Sequence, residues 1–418
     1  MTLIASFVLL LFLYALISGR LERSVVTAPM IFTLGGVAMC EFVSQLLNQQ
    51  GEVREVIRAT FLRAAEVGLV LLLFTDASRT QFQVLKSIRQ LPVRLLSVGM
   101  LLTILLGTLA AMVLFRQLTL WEAGILAAIL APTDAGLGQV IVSSPRVPVR
   151  IRQALNVEAG LNDGLSVPFL LFFFALAASS TEGREASLTN YIVEQLGYGT
   201  LVGAGIGLVG GGLLGQAQRR QWMTKSLQQL GVVALPLLCL VLAEAADASM
   251  FIAAFVAGLA VQVGFKEAGK HSVEFTENWG QLLNLAVFFL FGIVVARDWA
   301  LLNWTHWIYA ALSLTVVRML PVAVSLIGTR LSRATIVFMG WFGPRGLASI
   351  VLGLVYLHQE THLPGETTIR LTVMVTVFLS ILAHGLTAQP GIRFYSRAVS
   401  SLPPHAAENQ ETQTKFVA

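Results

Sequence analysis

The chain has 418 residues, 56% of them hydrophobic and only 12% charged, against about 25% charged in soluble domains. With a mean hydropathy of +0.75, this composition excludes a soluble globular enzyme and points to a polytopic membrane protein. The formal net charge of +5 is scattered over loops rather than gathered on one surface, which argues against a nucleic-acid partner.

Apolar runs of span length fall near 3–19, 25–47, 61–78, 92–115, 119–143, 150–179, 190–215, 226–246, 249–264, 276–296, 300–327, 333–357 and 368–389, thirteen in all. The first has no basic stretch before it, so it reads as a span and not a cleaved signal. The tightest boundary is at Asp247, where two spans meet almost without a loop. If the N-terminus lies outside, one set of loops collects Arg20, Arg23, Arg79, Lys86, Arg89, Arg146, Arg150, Arg152, Arg219, Arg220, Lys225, Lys266, Lys270, Arg330 and Arg333. Arg393, Arg397 and Lys415 follow the last span on that same side, while the opposite loops hold mainly Arg54, Arg58, Arg116, Arg184 and Arg297. Basic residues mark the cytoplasmic face. The asymmetry therefore predicts an outside N-terminus, a cytoplasmic C-terminus and thirteen spans. Residues 403–418 read as a short polar cytoplasmic tail, with no room for a folded regulatory domain. Compact loops and a short tail suggest the plasma membrane of a prokaryote.

Cys40 and Cys239 lie in apolar runs without ligand-like spacing and read as packing residues. The stretch GAGIGLVGGGLLG from Gly203 follows no strand and leads to no Lys-Ser/Thr. It reads as a surface for close helix contact, not a phosphate loop. There is no HExxH, no GxSxG and no cysteine–histidine pair, so neither an enzyme nor a cofactor is indicated.

Two spans are interrupted at mid-depth. The fifth carries Pro132, Asp134, Gly136 and Gly138; the twelfth carries Gly340, Gly343, Pro344, Arg345 and Gly346. Proline removes a backbone donor and glycine weakens helix, so each span is expected to unwind there. The breaks lie seven spans apart, so the two helices run in opposite directions. That pattern predicts inverted six-helix repeats, spans 1–6 matching 8–13, and broken helices at matching positions mark a transporter's central site. Asp134 is expected to neutralise the N-terminus of the second half of span five, and Arg345 the C-terminal carbonyls of the first half of span twelve.

The sixth span, NVEAGLNDGLSVPFLLFFFALA, holds Glu158, Asn162 and Asp163. Charged groups at membrane depth are costly and persist where a counter-charge, proton or ion offsets them. Glu158 and Asn162, four residues apart, share a helix face. Glu158 and Asp163 point about 140° apart, so they can do different work. Arg318 is the only basic residue inside span eleven and is the expected partner of Glu158 in a structural pair. Asn162 is expected to hydrogen-bond exposed backbone of the broken helices. Asp163 is left without a fixed partner. Burial disfavours its ionised form, so a proton and a monovalent cation compete for it. A carboxylate that holds one or the other, exposed to each side in turn, gives antiport. A Na+-coupled symporter of an organic anion shares the broken-helix logic and is the alternative. It would need a roomier polar cavity, and selectivity rings for a channel are absent from the spans.

Glu158-Ala-Gly-Leu-Asn162-Asp163, the Pro132-Thr133-Asp134 break, FIAAFVAGL from Phe251, Arg318, Gly343-Pro344-Arg345-Gly346 and Ala383-His384-Gly385-Leu386-Thr387 together resemble the monovalent cation:proton antiporters of the NhaP/NHE type. The resemblance covers about residues 1–395 and implies an all-α fold of the NhaA/NhaP kind with two crossed broken helices. It implies a homodimer in the lipid bilayer. The dimerisation part is about 1–79 and 226–296, the transport core about 92–179 and 300–389, and the linker helix about 190–215. It implies that Asp163 carries the proton or the cation (Na+ first, with K+ and Li+ open), that Thr133 offers its carbonyl, and that Asp134 assists. The Asn162-Asp163 pair implies electroneutral exchange. One departure stands out: many relatives have serine where this chain has Ala159, so the site has one oxygen fewer. Asp76 is either the counterpart of a family carboxylate that lines the ion path or an interfacial acid near the cytoplasmic mouth. His384 reads as a structural hydrogen-bonding residue, and Glu66 and Glu244 as snorkelling or paired acids.

Overall fold

The computed structural model describes residues 2–21, 24–47, 51–79, 90–182, 190–191, 193–265, 273–356, 363–403 and 406–409. Arg23, Lys86, Arg89, Arg184, Lys266, Lys270 and Lys415 of the loop-charge expectation lie outside the described residues, as do 358–362, 404–405 and 410–418. All described regular structure is helical. The helices are α1 (Thr2–Leu21), α2 (Ala28–Leu47), α3 (Gly51–Arg79), α4 (Gln90–Leu114), α5 (Leu120–Ile129), α6 (Ala135–Val142), α7 (Val149–Glu182), α8 (Val193–Arg219), α9 (Lys225–Ala245), α10 (Met250–Gly264), α11 (Val273–Asp298), α12 (Trp304–Leu314), α13 (Val316–Ser325), α14 (Arg333–Trp341), α15 (Leu347–Tyr356) and α16 (Glu366–Ser400). Helix occupies each apolar run read from the sequence. Among the described residues, eight helical runs are long and apolar enough to cross a membrane, with α2, α5 and α10 as shorter apolar helices.

Local sequence sets many of these boundaries. Thr119 and Glu122 form a capping box at the start of α5, satisfying donors the helix leaves unpaired. Thr224, Ser249 and Ser332 cap α9, α10 and α14 with their hydroxyls. Asp247 takes a positive φ of 50° in the tight connection between α9 and α10. The eleventh span is not one helix. It divides at Thr315, whose hydroxyl donates to Ala311 O at 2.6 Å, a back-bond that bends helices. A lone threonine in an apolar run gives little warning of such a division.

The helices pack in two sets. In one, α2 lies on α11, α11 on α3, α3 on α10, and α10 on α8 and α9. The other gathers α4, α5, α6, α7, α12, α13, α14 and α16, while α15 touches both α3 and α16. Gly203, Gly207, Gly211 and Gly215 form the buried stripe of α8, where an added methyl would overlap the backbone of Ala253, Ala257, Val261 or Gly264 in α10. Small residues at this spacing let two helix backbones touch. Outside the bundle, α1 turns Ile4, Val8, Leu9, Phe12 and Leu16 outward.

Candidate functional site

The two interrupted spans cross. Between α5 and α6 the backbone unwinds at Ala131–Asp134, and between α14 and α15 at Phe342–Gly346. The segments bond each other directly: the Asp134 N–H donates to Pro344 O at 2.7 Å. The Asp134 carboxylate caps α6 by accepting from Leu137 N–H at 2.7 Å, and with its other oxygen it accepts from Leu347 N–H, the first residue of α15, at 2.6 Å. One side chain therefore serves the positive ends of both second half-helices. Arg345 is fully buried, and its Nη1 donates to Ala131 O and Pro132 O. This corrects the sequence reading, which put Arg345 on the carbonyls of its own span. Because the breaks cross, the guanidinium reaches the C-terminal end of the other broken helix. Ser349 of α15 completes the exchange by donating to Ile129 O at 2.8 Å. Only glycine fits at two points of the crossing. A methyl at Gly346 would overlap the Asp134 carboxylate, and one at Gly343 the Arg318 guanidinium.

Helix α7 lies beside this crossing and presents its polar residues in three ways. Glu158 Oε1 lies 2.6 Å from Arg318 Nη1, both side chains about 95% buried at 4% and 5% exposure. Asn162 Nδ2 donates to Thr133 Oγ1 at 2.6 Å. The expectation of a bond to broken-helix backbone is thus corrected: the threonine side chain intervenes, because it projects from the unwound segment towards α7. Asp163 is 4% exposed, and its Oδ1 is buried with no hydrogen-bond donor among the described residues. Asn162 Oδ1 is likewise without a donor. The carboxylates of Asp134 and Asp76 lie close enough to act electrostatically on Asp163, and Asp76 packs over Gly160, one turn from Asp163. Asp76, half-buried, is therefore beside α7. A cavity of about 20 Å³ is lined by Thr133, Asp134, Glu158 and Ala159, and runs past Gly138, Val142, Leu155 and Asn156 towards the turn between α6 and α7. That is room for one or two waters.

A family model described as the transmembrane sodium/hydrogen exchanger matches residues 7–393. The chain belongs to the sodium/hydrogen exchanger family. The Na(+)/H(+) antiporter 2 of Zygosaccharomyces rouxii is 27% identical over 264 residues, 58% of this chain and 32% of that one. The Na(+)/H(+) antiporter of Schizosaccharomyces pombe is 26% identical over 292 residues, 65% of this chain and 61% of that one. The chain thus spans between a third and three fifths of the curated relatives it matches. Among solved structures, the sodium proton antiporter MjNhaP1 from Methanocaldococcus jannaschii superposes with a TM-score of 0.75 at 19% identity, covering 96% of this chain and 99% of that one. The fold is the all-helical exchanger fold, and the resemblance read from the motifs stands.

Several polar contacts of this chain escaped the sequence reading. Glu122 is buried and accepts from Gly365 N–H at 2.7 Å besides capping α5; its Thr-x-x-Glu spacing is a readable sign. Glu66 and Glu244, read as snorkelling or paired acids, are paired: Arg63 bridges them at 3.1 and 2.8 Å. Glu408 is buried against the start of α14, accepting from Ser332 N–H and Thr335 Oγ1, each at 2.7 Å. Nothing in the polar sequence around Glu408 marks it for burial. His384, expected to make a structural hydrogen bond, sits between Ser380 and Trp341. Ser380 was not singled out, although its i, i+4 spacing to His384 places the two on one face.

Proposed function

We propose that this protein exchanges a monovalent cation for protons across a membrane by alternating access, with Asp163 holding one or the other. The observation that carries the reading is the buried, donor-free Oδ1 of Asp163, next to an asparagine–threonine pair and under the repulsion of two further acids. An ionised carboxylate in such a place gains from a bare cation or a proton and cannot hold both. Thr133 and Asn162 supply neutral oxygens, and Asp134 adds negative potential while remaining tied to two helix ends. Glu158 and Arg318 form a structural pair, and Arg345 compensates a half-helix. With one exchangeable carboxylate, one H+ replaces one cation and net charge does not move. Na+ is the first candidate, with K+ and Li+ admitted by Ala159. The cavity towards the α6–α7 turn is the ion path from the cytoplasmic side, and Asp76, packed over Gly160, adds negative potential near Asp163. No reaction chemistry and no cofactor enter.

The same reading comprises thirteen spans, an outside N-terminus, a cytoplasmic C-terminus and a prokaryotic plasma membrane, supported by the loop asymmetry of basic residues. The set containing α2, α3 and α9–α11 is the dimerisation part and the set around the crossing is the moving core. The outward apolar residues of α1 suit lipid and a second copy of the chain. Symport of an organic anion finds no support in the family match.

Proteoliposomes holding a pH gradient and given Na+, K+ or Li+ test the proposal. A cation-dependent pH change that Asp163→Ala abolishes is expected. Robust exchange surviving that substitution would overturn the assignment, and a rate that changes under a clamped membrane potential would overturn electroneutrality.

A further inference from the structure

The last helix, α16, gives nothing to the ion site, yet it carries a buried serine and histidine aimed at the break between α14 and α15. Ser380 is 0% and His384 3% exposed. Ser380 Oγ accepts from Arg345 N–H at 2.7 Å and lies 3.1 Å from His384 Nδ1. On the far side of the ring, His384 Nε2 lies 2.9 Å from Trp341 O. Trp341 is the last residue of α14; its carbonyl accepts from Gly343 N–H at 2.9 Å with His384 as the second partner, and Arg345 N–H belongs to the unwound stretch before α15. Burying the Arg345 N–H without a partner is costly, and the ring ties the Trp341 end to the same serine. The indole of Trp341 is itself fixed by donation to Thr387 Oγ1 at 2.9 Å, one turn along α16.

We infer that Ser380 and His384 are positioning residues that clamp both ends of the twelfth-span break, and so hold Arg345 and Leu347 in register with Ala131, Pro132 and Asp134. With the ring neutral and its proton on Nε2, the chain of donations closes. Arg345 N–H gives to Ser380 Oγ, Ser380 O–H gives to His384 Nδ1, and His384 Nε2–H gives to Trp341 O. Ser380 O also lies 2.9 Å from Nδ1. A second proton, on Nδ1, would be donated there and would end the donation from Ser380 O–H to the ring, while the bonds from Arg345 N–H to Ser380 Oγ and from Nε2–H to Trp341 O would persist. The hold on each end of the break thus does not depend on titration. Its effect on transport is indirect. Arg345 is the group that neutralises the end of α5, and Leu347 N–H is the group that Asp134 caps, so a slack break displaces both from beside Thr133.

The inference rests on the proposed exchange activity for its transport readout, and one measurement is independent of it. Hydrogen exchange by mass spectrometry on the purified full chain should show peptides covering 338–350 exchanging faster in His384→Ala and Ser380→Ala, by about tenfold for a lost buried hydrogen bond. In His384→Gln, whose amide can donate to Trp341 O, protection should return. In proteoliposomes with the wild type as positive control, His384→Ala should slow maximal exchange about tenfold. The cation concentration for half-maximal rate and the midpoint of the pH profile should stay put, and His384→Gln should recover most of the rate. Ser380→Ala combined with His384→Ala should be no worse than His384→Ala alone, since both break one chain of bonds. Unchanged protection of 338–350 in His384→Ala would overturn the clamp, whatever the vesicles show. A pH midpoint that moves in both histidine variants would overturn it too, by making His384 a titrating group. Absence of exchange by the wild type would instead overturn the functional reading and leave the hydrogen-exchange test standing.

Discussion

Asp134 and Leu347 are separated by 213 positions in the chain, yet the aspartate Oδ2 lies 2.6 Å from the leucine backbone nitrogen. The same carboxylate accepts from Leu137, so two half-helices share one cap. Asp134→Ala strips both caps at once and should destabilise the protein by about 2–4 kcal/mol, about twice a single lost cap. Asp134→Asn keeps an acceptor for one of them and should fall between. Thermal unfolding of the detergent-solubilised protein reads the order; an alanine variant as stable as wild type would contradict the shared cap.

Gly346→Ala should reproduce part of that damage without touching a polar group. The new methyl overlaps the Asp134 carboxylate, and the crossing must open to admit it, at a cost of about 1–3 kcal/mol. Unfolding and cation-dependent exchange should both suffer. A Gly346→Ala protein that exchanges at the wild-type rate would show that the crossing is looser than its distances.

Removing one member of the Glu158–Arg318 pair leaves a lone buried charge. Arg318→Leu should cost about 3–5 kcal/mol, seen as lost expression or a large drop in melting temperature. Replacing both residues with leucine should recover much of that stability, since the charge and its partner vanish together. A double variant worse than either single would indicate that the pair does more than hold the fold.

Ala159 lines the cavity beside Thr133 and Glu158. Ala159→Ser places a hydroxyl there and should lower the Na+ concentration for half-maximal exchange by about threefold to tenfold, the worth of one added buried polar contact. Titrating Na+, K+ and Li+ in the vesicle assay measures it. Identical ion preference in the two proteins would remove Ala159 from any account of selectivity.

At the tail, burial by itself would raise the Glu408 carboxyl, but donation by Ser332 N–H and Thr335 O–H outweighs it and holds the group below the usual glutamate range. Docking of Ala407–Asn409 therefore favours the ionised form. Its contribution is complete above a free glutamate's value of about 4.3 and is lost as pH falls through the lower, docked value. Hydrogen exchange at the start of α14 should rise on acidification, and Glu408→Gln should raise it already at neutral pH. Equal protection in the Gln variant would show that the Arg150 bond to Ala407 O suffices alone.

What the sequence discloses and what it hides divide along a physical line. Apolar run length places the helices, and Gly-Pro interruptions with a charge in each place the crossing, because both are local properties of the chain. The nearness of Glu158 and Arg318 was also readable, as Arg318 is the sole basic residue of its span and Glu158 points away from Asp163 on its own helix. Direction across the crossing was not: whether Arg345 serves its own helix or the other depends on which way an unwound backbone turns. The burial of Glu408 and the hydroxyl of Thr133 standing between Asn162 and the backbone are likewise outcomes of packing between distant segments.

The reciprocal ties at the crossing bear on how the protein is made. When α5, α6 and α7 have entered the bilayer, the partners of Asp134 and of Ala131 O in the second broken helix, Leu347 and Arg345, have yet to be synthesised. The early half must wait with the carbonyls at the end of α5 bare and Glu158 without its arginine. Insertion of the first spans is then a provisional state, open to water or to quality-control proteases, that the arrival of α13–α15 converts into a finished one. Substitutions at Arg345 should thus shorten the lifetime of newly made chains in the cell more than they alter chains that have already matured.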